Sequence, residues 1–168
     1  YDVMGRVKRV AEPGLEKNYT YDVAGNRESF ETKVLGNVKQ DLRYTYDKRG
    51  NMTGVSAPGT GISATYSYDE NGNMTREFSD VYSDTDYTYN RDNTVSKIGT
   101  YRMISSENLE YTYYRNGNIK TEVSSKRENG SQVGSARAVA YEYDAQNRLS
   151  KETVDGSETT YTYDSFGN

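Results

Sequence analysis

An all-β repeat array of antiparallel β-hairpins, winding on as one continuing sheet, is predicted by three features of this 168-residue chain. The first is a phrase, Tyr-x-Tyr-Asp-x-x-Gly-Asn followed by an apolar residue, which accounts for fifteen of the eighteen tyrosines. The second is its spacing. Successive copies lie 20, 25, 22, 21, 24, 30 and 20 residues apart, and a period in the low twenties marks a stacked array. The third is the absence of a helical period between the phrases, where apolar and polar residues alternate instead.

Each phrase dictates a strand and a turn. The second tyrosine stands at Tyr1, Tyr21, Tyr46, Tyr68, Tyr89, Tyr113, Tyr143 and Tyr163; the first stands at Tyr19, Tyr44, Tyr66, Tyr87, Tyr111, Tyr141 and Tyr161. Alternating Tyr-x-Tyr is strong strand composition, and the i, i+2 spacing puts both rings on one face. An acid at the next position with glycine three later is a type I turn signature, the carboxylate bonding nearby backbone N–H groups. That acid is Asp2, Asp22, Asp47, Asp69, Asp144 and Asp164, with Asn90 once and Tyr114 as the exception. The glycine position, expected in the left-handed region, holds Gly5, Gly25, Gly50, Gly72, Gly117 and Gly167, and asparagine at Asn93 and Asn147.

A return strand follows each turn. Its first inward residue is Val7, Met52, Met74, Val95, Ile119 or Leu149, with Arg27 the exception. Alternation places Met74, Arg76 and Phe78 on one face, and Ile119, Thr121 and Val123 on one face. Looser turns are expected to link one unit to the next. Gly36-Asn37 is assigned to one of them, Pro13 and Pro58 to loops, and Asn129-Gly130 to a longer hairpin within the 30-residue gap. The eight repeat cores are 1–7, 19–27, 44–52, 66–74, 87–95, 111–119, 141–149 and 161–168, read as a single array over 1–168.

Composition narrows the function classes. Leu, Ile, Val and Phe together number 25, about 15% of the chain, so tyrosine is the main packing residue. The 21 basic and 25 acidic residues are interspersed, with no basic stripe to attract phosphates, so no nucleic-acid partner is expected. There is no cysteine or histidine, which removes the thiolate–zinc sites and the commonest general base. The segment Asp69-Glu70-Asn71-Gly72-Asn73 is the nearest approach to a calcium loop, but its glycine stands fourth, where an EF-hand needs it sixth. No cofactor or metal is expected, and no transmembrane run or signal segment is present. A catalytic site is singular, whereas the one patterned acidic position is periodic, so a hydrolase is the least favoured class.

Tyr-Asp-x-x-Gly-Asn with an apolar or arginine follow-on, repeated at about twenty residues over all eight units, resembles the YD repeats of the Rhs (rearrangement hot spot) family. Bacterial wall-associated polymorphic toxins, the C component of insecticidal toxin complexes and the teneurins share these repeats. The resemblance implies a long β-sheet spiralling into a hollow shell, which in bacterial members encloses a variable C-terminal toxin. It implies as partners a toxin domain of the same polypeptide and flanking YD repeats, and a secreted or cell-surface, cell wall-associated setting. Many members carry a self-cleaving core with Asp-Pro motifs. Here Pro13 follows Glu12 and Pro58 follows Ala57, so no autoproteolytic residue carries over.

The tyrosine ladder accordingly has three readings: packing of repeat on repeat, lining of a shell interior around cargo, and a platform for cell-wall glycan or a receptor. The chain starts and stops inside phrases and reads as a segment of a larger protein. Its first and last strands are then expected to pair edge to edge with neighbouring chains.

Overall fold

The computed structural model describes residues 1–80, 83–164, 166 and 167. Asn168, which closes the eighth phrase, lies outside the described residues. The fold is all-β and antiparallel, and no described residue is helical. The chain forms two compact units, Tyr1–Ser83 and Asp84–Asn168.

The first unit is a meander of β1 (Arg9–Glu12), β2 (Leu15–Tyr21), β3 (Arg27–Val34), β4 (Asn37–Tyr46), β5 (Met52–Ala57), β6 (Ile62–Tyr68) and β7 (Met74–Ser79). Each strand pairs with the one before it. The second unit comprises β8 (Asp84–Tyr89), β9 (Val95–Tyr101), β10 (Ser105–Tyr113), β11 (Ile119–Glu128), β12 (Ser131–Gln132), β13 (Arg137–Tyr143), β14 (Leu149–Val154) and β15 (Ser157–Thr160). It is also a meander, except that β11 pairs with both the short β12 and β13.

Every described phrase turn closes in the same way. The N–H of Asp47 donates to the carbonyl of Asn51 at 2.9 Å, and the N–H of Gly50 donates to that of Asp47 at 3.1 Å. This is a type I turn followed by a left-handed residue, the three-residue hairpin loop. The left-handed position has φ 77° at Gly5, 96° at Gly25, 87° at Gly50, 88° at Gly72, 89° at Gly117 and 88° at Gly167; Asn93 and Asn147 take 65° and 61°. Tyr114 has no carboxylate, yet the same two backbone bonds form around it.

A second irregularity was not anticipated. The pairing register shifts between Thr20 and Tyr21, Thr45 and Tyr46, Ser67 and Tyr68, Thr88 and Tyr89, Thr112 and Tyr113, and Glu142 and Tyr143. Each of these six second tyrosines therefore faces a β-bulge, whose extra residue lies on the return strand and bends and twists it just after the turn. This corrects the alternation expected for the return strands. Met74 opposes Tyr68, whereas Arg76 and Phe78 oppose Ser67 and Thr65. Directly opposed residues share a face, so Met74 joins the tyrosines and Arg76 and Phe78 take the other side. Likewise Ile119 opposes Tyr113, while Thr121 and Val123 oppose Thr112 and Glu110.

Apart from the Asn129-Gly130 hairpin, which is as expected, the linkers are tighter than expected in several places. Pro13-Gly14, Leu35-Gly36, Asn129-Gly130 and Asp155-Gly156 are two-residue turns between directly paired residues. In the last three both residues have positive φ, the turn whose twist matches that of the flanking strands. The pair assigned to Gly36-Asn37 is thus Leu35-Gly36, and Asn37 opens β4. Leu35 holds its φ of 49° with its N–H bonded to the Gly14 carbonyl at 2.8 Å, its side chain lying over Gly14.

The bulges sort the residues into two faces. One carries the tyrosines with Phe30, Leu42, Val55 and Ala64 in the first unit, and with Ile98, Leu109 and Val139 in the second. The other carries mostly Ser, Thr and charged side chains, with Phe78 and Val123 among them, bridged by contacts such as the Thr20–Ser29 and Thr112–Thr121 hydroxyl pairs at 2.7 and 2.6 Å. Within these sheets the core is thin: Val139, 2% exposed, is the one buried large hydrophobe among the described residues.

Replacing Gly50 with valine should cost more than ~1 kcal/mol, because a β-branched residue is strained at positive φ. A Cβ there meets nothing nearer than the Asn26 Oδ1 at 3.8 Å, so Gly50→Ala, which adds no more than that atom, should show the backbone strain without a clash. Asn93→Gly, at a position already left-handed, should leave stability unchanged or slightly raised, as chemical denaturation can measure.

Candidate functional site

The recurring unit of this protein is the junction between one phrase turn and the tyrosines of the next phrase. The second-column hydroxyl donates to a main-chain carbonyl of the preceding repeat: Tyr21 to Val7 at 2.9 Å, Tyr46 to Arg27 at 2.9 Å, and Tyr68 to Met52 at 2.8 Å. In the second unit Tyr113 reaches Val95 at 2.7 Å and Tyr163 reaches Leu149 at 2.8 Å. Tyr89 is engaged as well. Each acceptor occupies the apolar follow-on position of the phrase. The bulge supplies the geometry, and the phenol supplies both the ring that covers the neighbouring repeat and the donor at its tip.

First-column tyrosines are held laterally instead. Tyr19 packs on Phe30 with ring centroids 5.2 Å apart; Tyr44 and Tyr87 oppose Val55 and Ile98. Tyr66, Tyr111 and Tyr141 oppose Glu77, Glu122 and Glu152, and the Tyr161 hydroxyl donates to Glu152 at 3.3 Å. Both columns are half-buried, except that Tyr1 and Tyr161 are exposed. Burial pushes the phenols of Tyr46, Tyr66, Tyr68, Tyr111, Tyr113 and Tyr141 above their usual range, which keeps them protonated donors.

The turn carboxylates hold the turns together. Asp47 accepts the N–H groups of Arg49 and Asn51 on Oδ1 at 2.8 and 2.9 Å, and the Asn51 amide on Oδ2 at 2.9 Å. Asp69 repeats this with Asn71 and Asn73, and Asp22 with Asn26. Asp144 takes Gln146, Arg148 and the Arg148 side chain; Asp164 takes Phe166. The asparagine side-chain bond, with backbone donors behind it, holds Asp22, Asp47 and Asp69 below the usual carboxylate range. Sequence reasoning gave the residue after the glycine no role, although its recurrence as Asn26, Asn51, Asn73 and Asn118 was visible. At Asn26, Asn51 and Asn73 it is the second partner of the turn carboxylate, whereas Asn118, with no carboxylate in its turn, bonds Asn116 and Asn147.

In two repeats arginine takes that place. Arg6 bonds Asp2 through Nε at 2.6 Å, with its guanidinium 4.5 Å from the centre of the Tyr21 ring. Arg148 bonds Asp144 at 2.7 Å and lies 4.3 Å from the Tyr163 ring. The repeat at 111–119 departs from the pattern. The Tyr114 hydroxyl takes the Tyr141 carbonyl at 3.0 Å, its ring stands edge-on to Tyr143, and the Tyr143 hydroxyl has no hydrogen-bond partner among the described residues. Among those residues no cluster of His, Cys, Asp and Glu could hold a metal ion, and no helix is long and apolar enough to cross a membrane.

Residues 6–121 match the teneurin YD-shell family. The chain belongs to that family. Residues 143–168 of this YD-shell chain match the RHS repeat. Both are structural families, and membership makes the chain a shell-forming segment. No curated protein matches it. Among solved structures, a TcdB2–TccC3–Cdc42 crystal structure is 14% identical, with a TM-score of 0.53, over 100% of this chain and 12% of that one. A TcdB2–TccC3–TEV crystal structure is 16% identical, with a TM-score of 0.52, over 97% and 13%. A Photorhabdus luminescens Tc holotoxin pore is 13% identical, with a TM-score of 0.48, over 98% and 12%. The YD-shell chain thus spans about an eighth of the length of these chains, and the first two share its fold.

Two outcomes follow from the junction geometry. Tyr68→Phe removes a paired donor and should cost about 1 kcal/mol, whereas Tyr143→Phe, whose hydroxyl is unbonded, should cost close to nothing in a denaturant titration. Acidification should also weaken the YD turns. The lowered carboxylates of Asp22, Asp47 and Asp69 contribute stability that is present above the unfolded value of about 4 and is lost as pH falls through their lower folded values. Melting temperature should therefore drop below about pH 4, and the drop should be smaller in Asp47→Asn.

Proposed function

We propose that this chain is a wall section of a β-shell in a large secreted or cell-surface polymorphic toxin, where it encloses and displays a C-terminal toxin domain of the same polypeptide. The observation that carries the reading is the asymmetry of the two faces. One face of each unit presents tyrosine and aliphatic side chains, with Glu77, Glu122 and Glu152 opposite three of the tyrosines, and the other presents mainly Ser, Thr and charge, with Val139 the one large hydrophobe buried among the described residues. A sheet built this way separates two environments and gains little from packing within itself. Family membership and the fold shared with Tc toxin chains support a containing role. Most second-column hydroxyls are committed to the neighbouring repeat, which fits a lining better than a glycan platform.

Limited proteolysis of the complete polypeptide tests this. Its C-terminal segment should resist trypsin while the array is intact and be digested once residues 44–74 are deleted. Rapid digestion of that segment in the intact protein would overturn the reading.

A further inference from the structure

The clefts between successive YD turns are chemically alike but differently filled. In the first repeat the cleft is lined by Asp2, Arg6, Lys8, Tyr19, Thr20 and Tyr21. Arg6 fills it, bonded to Asp2, stacked on Tyr21, and so close to Gly25 that a Cβ there would meet its Nη1 at 3.3 Å. Arg148 repeats the arrangement with Asp144, Tyr163 and Gly167. The protein therefore shows twice what this corner accepts: a planar cation between a turn carboxylate and a phenol ring.

The equivalent cleft two repeats on is lined by Asp47, Thr53, Tyr66, Ser67, Tyr68 and Asp69, with Arg49 and Glu70 at its mouth, and has a volume of about 430 Å³. Here Asn51 stands where Arg6 does. Its short amide satisfies one position on Asp47 Oδ2 and leaves the Tyr68 ring without a cation over it. A Cβ built on Gly72, the counterpart of Gly25, meets nothing within 4 Å. The Tyr68 ring is fixed by its bond to the Met52 carbonyl. Arg49 does not fill the corner, since its Nη1 donates to the Glu70 carbonyl. Three carboxylates against one guanidinium leave the cleft negative.

We propose that the Asp47–Tyr68 cleft binds the guanidinium of an arginine side chain presented by another polypeptide segment. The charge attracts any cation, but the planar fork suits a ring face together with a carboxylate edge better than a compact ammonium does. The site lies between adjacent turns at the end of the strands and does not depend on what the sheet encloses.

The test is an NMR titration of the chain with acetyl-arginine amide, with acetyl-citrulline amide as the neutral isostere and acetyl-lysine amide as the ammonium. Saturable shifts are expected at Asp47, Tyr68 and Gly72 with arginine, several-fold weaker binding with lysine, and none with citrulline. Asn51→Arg supplies the protein's own guanidinium, as at Arg6, and should abolish the shifts. Tyr68→Phe keeps the ring and should retain binding, whereas Tyr68→Leu should weaken it roughly two- to five-fold. Equal binding of citrulline or lysine, shifts unchanged by Asn51→Arg, or shifts confined to other repeats would each overturn the assignment.

Discussion

The bond from a second-column tyrosine to a carbonyl of the preceding repeat is the constraint on which the array depends. A sheet with almost no buried core cannot fix its repeats by packing alone. The phenol does two things at once: its ring covers the neighbouring turn, and its hydroxyl satisfies a carbonyl where the ladder is interrupted. Phenylalanine would supply only the first and serine only the second. The bond spans 14 residues from Val7 to Tyr21, 19 from Arg27 to Tyr46, 16 from Met52 to Tyr68 and 18 from Val95 to Tyr113. The spatial step is thus held while the sequence step varies. Linker length can drift because the linkers lie at the opposite ends of the strands from the tyrosines.

Much of this was legible in the residues, for identifiable reasons. The turns were readable because left-handed backbone restricts composition, and asparagine at 93 and 147 is the substitution that restriction allows. Asn129-Gly130 was readable on the same ground. Leu35 was not, because its positive φ is held by the bond to Gly14 and by packing, neither of which leaves a mark on the sequence. Asp155-Gly156 carried a plain hairpin signal and went unused beside the louder phrase. The bulge at each second tyrosine was invisible, since simple alternation assumes an uninterrupted ladder. That assumption put Phe78 on the face of Met74 and Val123 on the face of Ile119, whereas the register separates them.

The repeat at 111–119 separates two roles that coincide everywhere else. With Tyr114 in place of the aspartate, the turn still closes through its backbone, and Gly117 still takes a φ of 89°. The carboxylate therefore reinforces a turn that the left-handed residue already permits. What is replaced in this repeat is the second-column bond to the next repeat, for the Tyr143 hydroxyl bonds no carbonyl among the described residues, while Tyr114 donates to that of Tyr141 and the Asn116 amide to Asn147. The second-column bond is thus more easily replaced than the turn. The same repeat precedes the longest linker, and there the step between phrases reaches 30 residues. The two turns still approach, held by the Tyr114–Tyr141 and Asn116–Asn147 bonds, so the longer linker is accommodated at the far ends of the strands and not by loosening the junction.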